Sequence, residues 1–444
     1  MEKKRSNFAM WLLIWGLGLA GQLCWNMENQ WFNTFVYAKI GKDPSIITGM
    51  LICSALATTF STFFFGTWSD RIGKRRHFIS LGYILWGIFT IGFGLTQFIS
   101  KDMYTLVGIT VVLADTVMSF FGSMGNDSGF NVWCNDIMTD KNKGGIGAAL
   151  ATQPVIGTMV GTVVGGMLVG SDDNYMRLFI VMGVFVIIFG IISFFALNKN
   201  DDVEPYRDGT FWHQFLSVFN FKEFFKLKEL VLLHVGLAIF FIGFNVYFAY
   251  LGNYLIYYLG YSPDMMGIIE AVPLTLAMLS AIPVAKLINK NKEPYIVLVA
   301  VIVNAIGCLI TYLVKAENVD PTKMFNPHVW IGILVVGLGY ISILQASKVW
   351  AKRLFPADKK GQFEGIWILF FVLIPWIGGS LLGEATVKTS GHTFIDAASG
   401  QMQYIPNGNI FLVGGLFCLL SLIPFGLTLK HHKARIENKG ETDE

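Results

Sequence analysis

The sequence predicts an all-α membrane protein, with twelve transmembrane helices in two pseudo-symmetric six-helix bundles. Three observations carry that expectation. The chain is 54% hydrophobic and 14% charged, with mean hydropathy +0.55, which suits a protein whose solvent is lipid; a soluble core of 444 residues would need more polar cover. Twelve apolar runs each approach the ~20 residues that cross a hydrocarbon core. The longest hydrophilic interval, near the middle, separates six runs from six.

The first run, near residues 8–38, follows Met1-Glu2-Lys3-Lys4-Arg5. That start has the charge of a secretory signal, but the apolar stretch is too long and lacks a small-residue cleavage site, so it reads as an uncleaved helix. Runs near 45–68, 78–99, 104–136, 146–169 and 176–197 complete an N-terminal bundle, 1–197. The interval 198–229 carries Asp201, Asp202, Glu204, Pro205 and Gly209 and then an amphipathic stretch, Phe211 to Lys228, as expected of a cytoplasmic linker. Runs near 230–259, 264–287, 295–314, 329–350, 365–387 and 409–429 form the C-terminal bundle, which with its tail occupies 230–444. An even number of crossings puts both termini on one side. Placing them in the cytoplasm puts 26 of the 33 Lys and Arg there, the bias expected of cytoplasmic loops, so a multi-pass protein of the cell membrane is the expectation.

The cations line successive loops instead of forming one patch, so no nucleic-acid partner is expected. Cys24, Cys53, Cys134, Cys308 and Cys418 lie in or at the ends of runs without CxxC spacing, which argues against a disulfide framework or a zinc site. No HExxH or GxSxG occurs, and the one GxGxxG match, Gly16 to Gly21, falls inside the first helix with no strand before it. Neither enzymatic activity nor a cofactor is expected.

The halves show a weak internal repeat. Phe35 to Pro44 aligns with Tyr254 to Pro263, Asn26 with Asn245, and Asp70-Arg71 with Asn289-Lys290; Val132-Trp133 aligns with Val349-Trp350. Transporters built of two parallel halves carry this kind of signature.

Between the second and third runs lies Gly66-Thr67-Trp68-Ser69-Asp70-Arg71-Ile72-Gly73-Lys74-Arg75-Arg76. Gly66 would let helix 2 approach a neighbour, Asp70 could accept from N–H groups at a helix N-terminus, and Gly73 would permit a sharp turn. This GxxxDRxGKRR pattern resembles the loop between helices 2 and 3 of the major facilitator superfamily. The resemblance implies the major facilitator fold and a transporter.

Polar side chains inside the runs mark where function is expected, since a charge at the centre of a spanning helix costs ~2.5–3.5 kcal/mol on insertion scales. Gln22, Asn26, Asn29 and Asn33 follow i, i+4, i+7, i+11 spacing, with Trp25 beside them. One amide face with an aromatic neighbour suits a polyhydroxylated solute, although amides also bind helices to one another. In helix 4, Asp115, Asn126, Asp127, Asn131 and Asp136 accompany Gly122, Gly125 and Gly129. Asn245 and Tyr250 of helix 7 and Gln345 of helix 10 complete the solute-binding candidates, lining a central cavity with helices 1 and 4.

The segment Asp127-Ser128-Gly129-Phe130-Asn131-Val132-Trp133-Cys134-Asn135-Asp136-Ile137-Met138-Thr139-Asp140-Lys141 resembles the helix-4 signature of the glycoside-pentoside-hexuronide cation symporters, the melibiose permease family, and more loosely their sucrose-transporter relatives. The resemblance assigns Asp127 to sugar hydroxyls. It places Thr58 and Thr62 where sodium-coupled members carry cation-binding aspartates, and Gln22 where they carry a sugar-binding aspartate. A proton-coupled or facilitative importer of a glycoside or related polar solute is therefore expected. Glu28, Asp115, Glu270 and Glu384 are the carboxylates available for coupling.

At the cytoplasmic face Arg71 or Arg75 is expected to pair with Asp136, and Asp70 to cap helix 11 near Glu364, so that Gly66, Asp70, Arg71, Gly73, Arg75, Asp136 and Glu364 form a gate. Rival readings are a drug or small-molecule proton antiporter, a lysophospholipid carrier and a ligand-sensing membrane protein without transport. Gly157, Gly161, Thr162, Gly165 and Gly166 approach an antiporter signature, but glycines four apart are more often a packing ridge. The protein is expected to act as a monomer whose partners are the bilayer, a small polar solute and a coupling proton.

Overall fold

The computed structural model describes residues 7–197, 203–219, 221–356, 360–397 and 399–440. Asp201 and Asp202 of the linker lie outside the described residues. Among the described residues twelve helices are long and apolar enough to cross a membrane: α1 Phe8–Ile40, α2 Pro44–Ile72, α3 Arg76–Phe98, α4 Tyr104–Asp136, α5 Lys143–Val169, α6 Tyr175–Ala196, α7 Lys228–Tyr258, α8 Pro263–Ile288, α9 Glu293–Tyr312, α10 Pro327–Leu354, α11 Phe363–Ser390 and α12 Asn409–Arg435. The protein is a multi-pass, mostly helical membrane protein.

Local chemistry sets several helix ends. Asp43 accepts from the Ser45 amide at 2.9 Å and Pro44 supplies the first helical φ, so α2 starts there. It stops at Gly73, whose φ of +68° is left-handed and whose amide closes on the Ser69 carbonyl at 2.9 Å. Asn326 opens α10 in the same manner, with Pro327 behind it.

Several helices are not uniform. Turns of π-helix lie at Glu28–Phe32, Val36–Ile40, Asn126–Phe130, Tyr254–Tyr258 and Leu369–Leu373. Each admits one extra residue, which rotates every later side chain by about 100° relative to a continuous α-helix. The single amide face expected in helix 1 assumed unbroken α-helical spacing, and the π turn at Glu28–Phe32 falls between Asn26 and Asn33. The stripe is therefore divided.

Two compact units form. Unit 1 takes the described residues up to Phe215 together with Ser262–Ala271 and Phe394–Gln403; unit 2 takes Leu216–Tyr261, Val272–Thr393 and the chain from Tyr404. Glycines set helix spacing in both. In unit 1 a Cβ on Gly157 would stand 2.6 Å from Gln22 Cβ, one on Gly161 2.5 Å from Asn26 Oδ1, and one on Gly165 would strike the Trp31 ring. This ridge of α5 lies against α1, and lipid-solvated helices rely on such close approach for cohesion. Gly122 gives the same access to Trp86, at 2.7 Å. In unit 2 a Cβ on Gly243 would stand 2.6 Å from the Gly414 carbonyl oxygen, where α7 approaches α12, and one on Gly307 would strike Val336, where α9 approaches α10. The Asn304 amide, wholly buried, donates to the Tyr247 hydroxyl at 3.1 Å.

Gly66 has no close neighbour within its own unit. A Cβ there would meet nothing within 4 Å among the described residues.

These geometries separate two glycines that look alike in sequence. Gly161→Ala should lower stability by about 1–3 kcal/mol through overpacking against Asn26, whereas Gly66→Ala should be neutral or stabilise by up to about 1 kcal/mol through helix propensity. Thermal unfolding of both variants in detergent, followed by size-exclusion fluorescence, checks this; equal midpoints would contradict the packing assignment.

Candidate functional site

The polar residues of unit 1 fall into a column on α1, α2 and α4. Asp115, Ser119, Ser123 and Asp127 recur every four residues of α4, so they share one face. Ser119 donates to Glu28 Oε1 at 2.8 Å, and Ser123 and Asp127 Oδ2 lie 2.5 Å apart. From α2 Thr62 reaches the Ser123 hydroxyl at 2.9 Å and the Thr58 carbonyl at 2.8 Å, and Ser54 stands beside Asp115. Glu28 is in electrostatic reach of Asp115 and of Asp127. Asp115 is 1% exposed, and its Oδ1, like Glu28 Oε2, is buried without a hydrogen-bond partner among the described residues. Asp127 is half-buried.

The remaining sequence candidates divide by environment. Asn26 is buried and donates to Thr162 of α5 at 3.1 Å. Asn126 is buried and donates to Tyr83 at 2.9 Å, and Tyr83 in turn donates to the Leu17 carbonyl at 2.8 Å, a junction of α1, α3 and α4. These two amides join helices. Gln22 is half-buried beside Gly157, and half-buried Trp25 tilts against Trp86 with centroids 4.8 Å apart. Asn29 and Asn131 are half-buried, whereas Asn33 is buried. In unit 2 Asn245 is buried against Gly379, Tyr250 is wholly buried beside Gly383, and Gln345 is half-buried.

Of the coupling candidates, Glu28 and Asp115 come together. Glu270 is wholly buried in the Ser262–Ala271 segment of unit 1, with Gln30 its neighbour. Glu384 is paired with Lys388 at 2.6 Å, one turn along α11.

The charged turn after α2 is an assembled network. Arg75, 3% exposed, binds Asp70 at 2.6 Å, Asp136 at 2.7 Å and the Ser69 hydroxyl at 2.5 Å. Burial works against charge on this guanidinium, but its bond to Asp136 and the charges of Asp70 and Asp136 outweigh that, and its pKa is raised above the ordinary value. Arg71 turns instead to the linker, donating to Gln214 Oε1 at 2.9 Å and to the Gly209 carbonyl at 3.1 Å. The linker amides of Val203 and Tyr206 bond the carbonyls of Gly73 and Asp70 at 3.0 and 2.9 Å. Gly73 leaves room for this, since a Cβ there would strike the Val203 carbonyl oxygen. In unit 2 Glu364 pairs with Lys352 at 3.1 Å.

Sequence reasoning passed over Ser54, Ser119, Ser123 and Tyr83. The four-residue recurrence from Asp115 to Asp127 was the available signal for the two α4 serines. Tyr83 carried none, because a tyrosine in an apolar run reads as packing.

Comparisons with known proteins agree with this architecture. The sequence matches the profile of the Major Facilitator Superfamily over residues 14–378 and again over 233–444. Protein ZINC INDUCED FACILITATOR 1 of Arabidopsis thaliana is 26% identical over 171 residues, 38% of this chain and 33% of that protein, so the match spans about a third of the relative's length. Among solved structures, a bacterial homologue of the human lysosomal transporter Spinster, inward-facing and unoccupied, superposes with TM-score 0.69 at 13% identity, over 96% of each chain. A D-xylose-proton symporter superposes with TM-score 0.66 at 14% identity, over 94% of this chain and 97% of the other.

The two arginines of the turn should respond unequally to truncation. Arg75→Ala removes charged hydrogen bonds from a buried site and should cost about 1.5–3 kcal/mol, while Arg71→Ala, at a more exposed contact, should cost under about 1 kcal/mol. Denaturation midpoints of the purified variants measure both, and an Arg71 effect as large as that of Arg75 would overturn the ranking.

Proposed function

Because the chain belongs to the Major Facilitator Superfamily, we propose that it imports a small polyhydroxylated solute, a glycoside or a related sugar, by alternating access driven by protons. The family and the fold are those of a membrane transporter. The observation that supports the finer reading is the carboxyl–hydroxyl column of α1, α2 and α4.

Its outer end suits a proton. Glu28 and Asp115 lie within electrostatic reach of each other, and Glu28 Oε2 and Asp115 Oδ1 are each buried without a hydrogen-bond partner among the described residues. A proton carried by the pair would leave only one of two buried carboxyls charged, and its loss would leave both charged in an apolar surround, which burial and like-charge repulsion disfavour. A shared proton thus gives the site two states of different energy, which coupling requires.

Its inner end suits a hydroxylated ligand. Half-buried Asp127 is oriented by Ser123 and retains acceptor capacity, and a carboxylate accepting from sugar hydroxyls makes charge-assisted bonds. Half-buried Asn131, Asn29 and Trp25 offer amide and aromatic groups for the rest of such a ring. Thr58 and Thr62, at the positions that the family resemblance gives to cation-binding aspartates, bring hydroxyls where sodium would need charge. The glycine ridge of α5, occupied by α1, requires no antiporter function to account for it. In this reading the protein works as a monomer in the cell membrane with its termini in the cytoplasm.

Uptake of labelled D-xylose and a panel of glycosides into proteoliposomes, at clamped membrane potential, tests the proposal. An inward proton gradient should accelerate uptake and a sodium gradient should not. Glu28→Gln and Asp115→Asn should remove the proton effect while preserving solute exchange between the two sides. Asp127→Ala should weaken solute binding by roughly 10–100-fold, the loss of about 1.5–3 kcal/mol in charged hydrogen bonds. Sodium-driven accumulation, or proton-driven uptake that survives both carboxyl substitutions, would overturn the assignment.

A further inference from the structure

Between α9 and α12, both wholly in unit 2, lies a groove of about 260 Å³. Its walls are two aliphatic ridges. Ile302, Ile306 and Leu309 of α9, and Leu412, Leu416 and Leu419 of α12, each recur at i, i+4 and i+7, the spacing that puts side chains on one helix face. The floor lies low because Ala305, Cys308 and Gly415 are small. Gly415 lets the two helices close beneath the groove, since a Cβ there would stand 2.8 Å from Cys308 Cβ. Ile302, Ile306, Leu309 and Leu416 are exposed although they belong to spanning helices, and an exposed apolar face at that depth meets hydrocarbon.

The same face of α9 runs back through exposed Val299 to exposed Tyr295, at the membrane face on which α12 ends. Two ammoniums stand over the Tyr295 ring. Lys292 lies 5.5 Å from its centroid and Lys433, from the last turns of α12, lies 5.9 Å from it, both within cation–π range. Among the described residues neither lysine has a carboxylate within ion-pair distance, whereas nearby arginines do: Arg353 binds Glu293 and Arg435 binds Glu229 at 2.9 Å. Two cations gathered on one ring repel each other, and an anion placed between them relieves that repulsion.

Cation pair and groove are parts of one line. From Tyr295 to Leu309 the helix rises ~21 Å at ~1.5 Å per residue, about half of the ~40–45 Å that a bilayer spans with its headgroups. That is the depth of one leaflet. We infer that α9 and α12 form a binding site for an anionic phospholipid, with its phosphate between Lys292 and Lys433 and one acyl chain in the groove. Basic sites beside spanning helices select acidic headgroups in this way, and a zwitterionic lipid would bring a further cation to a place that already holds two. The site is confined to unit 2 and does not depend on what solute the protein carries.

Native mass spectrometry of the full chain in detergent, titrated with dioleoyl phosphatidylglycerol or dioleoyl phosphatidylcholine, tests the site. The parent should take up one phosphatidylglycerol at concentrations that leave phosphatidylcholine unbound. Lys292→Ala combined with Lys433→Ala should weaken phosphatidylglycerol binding by about 10–30-fold. Lys222→Ala combined with Lys286→Ala removes two exposed cations of unit 2 that do not stand over Tyr295, and should leave the affinity as in the parent. Ala305→Phe, which fills the groove from its floor, should also weaken the lipid, and glycerol phosphate, the headgroup without chains, should not bind. Equal affinity of the parent for the two lipids, an equal loss in the control pair, parent affinity in folded Ala305→Phe, or glycerol phosphate binding as tightly as the lipid overturns the site. The two lysines are exposed, so their variant folds and decides the matter by itself if Ala305→Phe does not fold.

Discussion

A hydrocarbon layer offers no water to a polar group, and that single constraint orders this structure from backbone to side chain. The backbone answers it with helix. Polar side chains answer it by binding one another, which is why Asn26 is found with Thr162, Asn126 with Tyr83 and Asn304 with Tyr247. Where the α2 helix ends, its last carbonyls need donors, and the linker supplies amides from Val203 and Tyr206. The linker is thereby part of the fold of unit 1 up to Phe215, beyond its role of joining two halves of the sequence.

The charged turn shows why a motif needs particular residue types at particular places. Only a residue at ease with φ of +68° and without a side chain fits position 73, because the Val203 carbonyl occupies the space where a Cβ would project. Arg75 meets two carboxylates and a hydroxyl through three separate nitrogens, a spread that a planar guanidinium fork provides and a single ammonium nitrogen does not. Asp70 and Asp136 come from separate helices, so their common cation ties α2 to α4 at the face that carries the termini. Arg71, one position after Asp70, points to the linker instead.

Length and polarity made the twelve spans legible in the sequence, because crossing a bilayer demands both and little else does. The Arg75–Asp136 contact was legible as one of two options, since charges of opposite sign at the same membrane face have few partners. What the sequence concealed were features that depend on neighbours. A π turn leaves no compositional mark, so the helix-1 amides read as one face when the turn at Glu28–Phe32 divides them. Asn26 reads equally as ligand or as helix contact until Thr162 is found beside it. Gly66 sits in a pattern that suggests close packing, yet a Cβ there would meet no described residue within 4 Å, whereas Gly161 is crowded by Asn26. The bond between the Lys42 amide and Gln403 joins residues 361 positions apart, and no local periodicity could report it.

The hydroxyl chain at Asp127 can accommodate either protonation state, and hydrogen counting shows how. Asp127, Ser123, Thr62 and the Thr58 carbonyl stand in a row with separations of 2.5, 2.9 and 2.8 Å. Each hydroxyl has one hydrogen to give. When Asp127 is ionised, Ser123 donates to it and Thr62 donates to Ser123, leaving the Thr58 carbonyl with its helical bond alone. When Asp127 carries a proton, every donor turns about: Asp127 donates to Ser123, Ser123 to Thr62, and Thr62 to the Thr58 carbonyl. Both arrangements leave each hydroxyl satisfied, so a change at Asp127 reverses a line of dipoles reaching from α4 into α2 without stranding a buried group. An aspartate at position 62 would anchor a cation and fix that line in one direction. The threonine found there lets it run both ways.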